Sequence, residues 1–127
     1  MAHSYIRLTT CLILYLSCIC HSHGNTTEIQ HLLTFVKNTQ CSYIRNGTQH
    51  TGKDAVEHIK KKYDYFADDI ETTEDFIRLS ATKSTISGKP YRVICDGKTT
   101  SSANWLLNEL AAFRQSQGTT QSSFTDH

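Results

Sequence analysis

The stretch Cys41–Tyr63, CSYIRNGTQHTGKDAVEHIKKKY, decides the fold by how it divides. Cys41–Arg45 is short, β-branched and aromatic, which suits a pleated, half-buried strand. Asn46-Gly47 is the strongest short hairpin signal a sequence carries. The residues after it, however, read as a helix. Thr51 is placed to cap it, Asp54 favours the positive end of its dipole, and Ala55, Ile59, Tyr63, Phe66 and Ile70 step by three or four residues along one face. Glu57 with Lys61, and Lys60 with Asp64, stand at the spacing that supports an exposed helical surface. We therefore divide the stretch as strand, turn and helix, and the strand must find its partner elsewhere.

The amino end places the chain in a compartment. MAHSYIRLTT carries one Arg and no acid, and CLILYLSCIC is an apolar run shorter than the ~20 residues a membrane span requires. Residues 1–24 read as a secretory signal peptide, with Ser22 and Gly24 supporting a cut after Gly24 and Cys18 and Cys20 marking a cut after Cys20. Lipoprotein anchoring at Cys18 is the lesser alternative, since Tyr15 stands where that signal prefers Leu. Cleavage removes Cys11, Cys18 and Cys20 and leaves Cys41 and Cys95, which in an oxidising compartment and without Cys-x-x-Cys spacing are expected as a disulfide. Arg7 also leaves, so the 13 basic residues become 12 against 12 acidic ones. That balance argues against nucleic acid as a partner. IKKKY is the single basic run, and we assign it to a solvated helix face. Residues 25–116 form one domain, and 117–127 form a polar tail with little to bury, expected to be disordered.

The remaining elements follow the same grammar. Asn25 or Thr26 starts a first helix carrying Ile29, Leu32, Leu33 and Val36 at helical spacing. Thr72 or Thr73 caps a third, with Phe76, Ile77, Ser80 and Ala81 on its inner face, and SGKP stops it. YRVIC is the second strand, DGK a turn, and Ser101 or Ser102 opens a last helix that buries Trp105 or Leu106, Leu110 and Phe113. Two helices separate the strands, so their pairing is long-range. Cys41 opens one and Cys95 closes the other, as an antiparallel pair requires. That register sets Tyr43 opposite Val93 and Arg45 opposite Tyr91. The expected fold is α+β, four helices on a short two-stranded antiparallel ribbon stapled by one disulfide.

CSYIRNGTQHTGKDAVEHIKKKY, DFIRLSATKSTISGKPYRVICDGK and SSANWLLNELAAFR together resemble the YfeK-like family of small bacterial envelope proteins, classed as a domain of unknown function. The order IRNG, a His three residues on, ATKS, SGKPY and CDGK carries the resemblance. It implies a periplasmic, mostly helical domain with Cys41 paired to Cys95, and brings no activity, cofactor or catalytic residue. In a bacterium, NTT at Asn25 and NGT at Asn46 are chance matches to the glycosylation pattern.

Three clusters invite chemistry. Ser80-Ala-Thr-Lys83 has the Ser-x-x-Lys spacing of penicillin-interacting enzymes, but the chain lacks their Ser-Asp-Asn and Lys-Thr-Gly partners and Ser80 falls on a buried stripe. We reject it. His21-Ser-His23 would hold copper or nickel only if cleavage followed Cys20; otherwise it leaves with the leader. The third cluster is Arg45 and His50, with Lys89 and Tyr91 approaching from the second strand, beside the free amides at the start of the second helix. Its plain reading is turn chemistry from Asn46 and Gly47 with Arg45 laid across Tyr91; its functional reading is a site for a small anion or carboxylate. No nucleophile, base and orienter set and no complete metal set is visible, and no cofactor is implied. The leading expectation is a monomeric, non-catalytic binding module of the periplasm whose partner is a small anion or an envelope protein. The alternatives are a small hydrolase or transferase using His50, and a purely structural or stress-related factor.

Overall fold

The computed structural model describes residues 26–122. Residues 1–24, read as the leader, lie outside that range. The chain runs α1 (Thr26–Asn38), β1 (Ser42–Arg45), β2 (Thr48–His50), α2 (Gly52–Tyr65), a 3-10 turn (Ala67–Asp69), α3 (Thr73–Ser80), β3 (Arg92–Cys95), β4 (Lys98–Ser101) and α4 (Ser102–Ser122). The strands form one antiparallel sheet in the order β2-β1-β3-β4.

The expected two-stranded ribbon is thus the centre of a four-stranded sheet. Each central strand continues through a two-residue turn into an edge strand. Asn46 (φ 51°) and Gly47 (φ 78°) make the first turn, and Asp96 (φ 50°) and Gly97 (φ 75°) the second. Positive φ at both central residues belongs to the type I′ turn, whose twist matches that of paired strands. Asn46-Gly47 therefore does what its composition signals, and Thr48–His50 pairs with Arg45–Tyr43 before α2 begins. The edge strands are short and polar, with neither β2 nor β4 carrying a hydrophobic residue, so no apolar alternation marks them.

The central register is as expected. Tyr43 lies opposite Val93, and Ser42 and Ile44 opposite Ile94 and Arg92. Continuing it outward sets Cys41 against Cys95, and these are joined by a disulfide with Cα atoms 4.7 Å apart. That separation suits a directly opposed pair without its own ladder bonds.

One face of the sheet is covered. Tyr43 and Val93, with Tyr91 just before β3, are buried against Leu32 and Val36 of α1, Ala55 and Ile59 of α2, Phe76 and Ile77 of α3, and Leu106 and Leu110 of α4. Alternation puts Ile44, Arg92 and Ile94 on the other face. Leu106, not Trp105, is the fully buried residue of its pair; Trp105 packs at the margin against Phe35, ring centroids 4.7 Å apart. Thr51 caps α2 and Thr72 caps α3, the latter in a reciprocal box with Asp75. α2 ends earlier than its hydrophobic stripe suggested, with Phe66 as its cap and Ile70 beyond the 3-10 turn. The polar tail expected from residue 117 lies within α4 through Ser122 and then passes outside the described residues.

Two contacts fix the helices to one another. Gly52 is the first residue of α2, and a Cβ there would lie 2.2 Å from the carbonyl oxygen of Val36 near the end of α1. Only glycine permits that approach. On the far side, buried Glu28 of α1 receives both Nε (2.6 Å) and Nη2 (3.0 Å) of Arg114 and the hydroxyl of Thr73 (2.8 Å), while Nη1 of Arg114 reaches Glu74 (2.6 Å). One guanidinium so ties α1, α3 and α4.

Candidate functional site: a cationic cradle around Tyr91

α2 turns Ala55, Val56 and Ile59 into the core. His58 and Lys62 stand one turn apart at the edge of that face, where side chains four residues apart meet the same neighbour. Between them lies Tyr91. Its ring is buried (1% exposed), and its hydroxyl is 3.0 Å from His58 Nε2 and 3.5 Å from Lys62 Nζ. The imidazole meets the phenol edge-on at 5.8 Å, and the Lys62 ammonium stands 5.1 Å above the ring centroid. Lys62 also donates to the Lys83 carbonyl oxygen.

The segment after α3 positions Tyr91. Tyr91 N–H donates to the Thr82 carbonyl (2.9 Å), Ser84 N–H to that of Lys89 (3.0 Å), and Gly88 N–H to that of Ser84 (2.9 Å), with Gly88 at φ 71°. Ser87 Oγ then donates to Asn46 Oδ1 at 2.7 Å. ATKS and SGKPY, two of the sequence motifs, therefore form one closed loop anchored to the turn of a third, IRNG.

Burial and nearby basic groups shift the titration of His58, Lys62 and Tyr91. The His58 pKa is pushed down to about 4, first by burial and then by Arg45, Lys62, His50 and Lys61, so at neutral pH the ring is uncharged. Burial and then the Lys83 ammonium lower the pKa of Lys62. Burial raises the Tyr91 phenol, against the opposing pull of Arg45. Arg45, Lys62, His50 and Lys61 all push the His58 pKa in the same direction.

The four residues singled out in the sequence are divided between three places. Arg45 and Tyr91 belong to the cradle. His50 acts on His58 from the other end of the hairpin and also lines an open groove of about 660 Å³ with Lys37, Cys41, Thr51, Gly52 and Lys53. Lys89 lines a separate hollow of about 300 Å³ with Ile44, Pro90 and Arg92. Lys62 escaped the sequence reading because IKKKY was assigned whole to a solvated face, and His58 because it lies just before that run and off the apolar stripe. Their signal was present: they are four apart and each stands one place before a residue of the inward stripe, Ile59 or Tyr63. Among the described residues no group of three or more His, Cys, Asp or Glu could hold a metal ion. Ser80 is fully buried and ends α3, with Lys83 beyond the helix.

This is a small disulfide-bonded α+β domain with a cationic, hydroxyl-bearing cradle on one edge. The chain belongs to a family of unknown function, DUF5329, whose model matches residues 23–114. It is similar to the uncharacterised protein YfeK of Salmonella typhimurium (strain LT2), with 40% identity over 50 residues, 39% of this chain and 42% of that protein. The chain thus spans under half the length of that curated relative. No solved structure matches.

Proposed function

We propose that the domain is a non-catalytic binding module of the bacterial envelope that takes a small anion, a carboxylate or phosphate, in the cradle formed by Arg45, His58, Lys62 and Tyr91, with His50 beside it. The observation that carries this reading is the convergence of Arg45 and Lys62 on a neutral imidazole and a fixed phenol, with no ion pair to Lys62 among the described residues. Guanidinium and ammonium groups supply charge-assisted donors, and phenol and imidazole supply directional ones. Export is supported by the leader-like amino end and by the Cys41–Cys95 disulfide, which suits an oxidising compartment. Among the described residues no helix is long and apolar enough to cross a membrane.

The test is denaturant unfolding with phosphate, acetate or sulfate at matched ionic strength. At a hundredfold excess over the dissociation constant a bound anion adds about 2.7 kcal/mol. The wild type should gain stability, and Arg45→Ala and Lys62→Met should lose most of that gain. Equal gains in all three proteins would reduce the effect to general exclusion of salt from the surface and end the proposal.

A further inference from the structure

Lys62 differs from the other lysines of its helix. Lys60 and Lys61 are exposed, whereas Lys62 is half-buried and its Nζ is shared between the Lys83 carbonyl oxygen and the Tyr91 hydroxyl. These acceptors occupy two N–H groups and leave one position for a proton or a lone pair. Burial and the Lys83 ammonium disfavour the proton; the Tyr91 ring face, 5.1 Å away, favours it. The first two effects prevail in the direction of the shift. No ion pair among the described residues includes Lys62, so no carboxylate restores the charge. A desolvated lysine beside a second cation is a recognised route to an amine nucleophile.

We infer that Lys62 is a nucleophilic amine that condenses with a carbonyl-bearing anion, such as a short 2-oxo acid. This rests on the anion-binding reading above and names the class of anion. The Nζ lone pair attacks the carbonyl carbon, and the carbonyl oxygen departs as water with two protons that were on the amine. A C=N bond replaces C=O, with no change of oxidation state. The Tyr91 hydroxyl, within 3.5 Å of Nζ, is placed to relay the proton, with His58 3.0 Å beyond it. Arg45 supplies the countercharge for the carboxylate.

The experiment treats the purified protein with glyoxylate and cyanoborohydride, which reduces an imine to a stable secondary amine, and maps adducts by peptide mass spectrometry. Lys62 should carry about ten times the adduct of Lys60 or Lys61, a barrier difference of about 1.4 kcal/mol. Lys83→Gln should lower that enrichment. Even labelling of the three lysines, or preference for the exposed pair, would overturn the inference. A parallel reaction with propanal, which is neutral, separates the two proposals. Enrichment at Lys62 by both carbonyls supports the amine and contradicts the cradle. Stabilisation by phosphate that persists in Lys62→Arg, without enrichment at Lys62 in the wild type, supports the cradle and overturns the amine.

Discussion

His58 is an imidazole that folding keeps neutral. With a folded pKa of about 4 and an unfolded value of about 6.5, it binds fewer protons folded than unfolded throughout that interval. Stability should therefore be complete above pH ~6.5 and fall as pH drops toward 4. Allowing for solvent screening of a half-buried ring, the loss attributable to His58 is ~1–2 kcal/mol. Denaturant unfolding from pH 4 to 7 should show a shallower slope in His58→Gln than in the wild type; identical slopes would place the ring in water. Glu28 makes the opposite case. Its hydrogen bonds to Arg114 outweigh burial and hold its pKa below the ordinary carboxylate value, so its contribution is present at neutral pH and lost only in stronger acid. Arg114→Ala leaves that buried carboxylate with Thr73 alone, and should cost about 2 kcal/mol at pH 7 by equilibrium unfolding. Neither residue stood out in the sequence. The one trace of His58 was its place beside the inward stripe, four residues before Lys62; what His58 and Glu28 do comes from what the tertiary fold sets against them.

Among the elements, legibility followed hydrophobic periodicity. α1 was readable from Ile29, Leu32, Leu33 and Val36, and α3 from its Thr72 cap and Phe76, Ile77, Ser80 and Ala81, because a one-sided helix must repeat its apolar face. β1 and β3 were readable because Tyr43 and Val93 are buried while their neighbours are not. Thr48–His50 and Lys98–Ser101 were not, since edge strands hold their places through turn geometry and ladder bonds without burying apolar side chains. Asn46-Gly47 and Asp96-Gly97 each announced a hairpin, and the apolar pattern of α2 was given too much weight against the first. The cradle was legible in part: Arg45 and Tyr91 were named, and His50 beside it, while the loop bonding that brings Lys83 and Tyr91 to α2 leaves no periodic trace. Gly52 was another silent position. Its hydrogen is all that fits against the Val36 carbonyl, so Gly52→Ala must part α1 from α2 and should destabilise by about 1–3 kcal/mol. A chevron or equilibrium midpoint unchanged by that substitution would show that the two helices yield freely.

For the molecule as a whole, the disulfide and the cradle share one frame. Cys41 and Cys95 are 54 residues apart in sequence, and closing a loop of that length is worth about 4 kcal/mol in the chain-entropy model. Reduction should lower the midpoint of unfolding accordingly, as read by paired titrations with and without reductant; coincident curves would mean that the sheet register needs no staple. The same β1–β3 pairing that aligns the cysteines brings Tyr91 toward Arg45, beneath His58 and Lys62. Fold and site therefore depend on one register, and the claim that this arrangement serves an anion is the central one. It is tested most directly by following backbone amide and imidazole NMR signals during titration with inorganic phosphate at pH 7 and fixed ionic strength. Saturable shifts centred on Arg45, His58, Lys62 and Tyr91, lost in Arg45→Ala, are the expected result. Shifts confined to Lys37, Gly52 and Lys53 in the groove at the start of α2, or an absence of saturation, would contradict it.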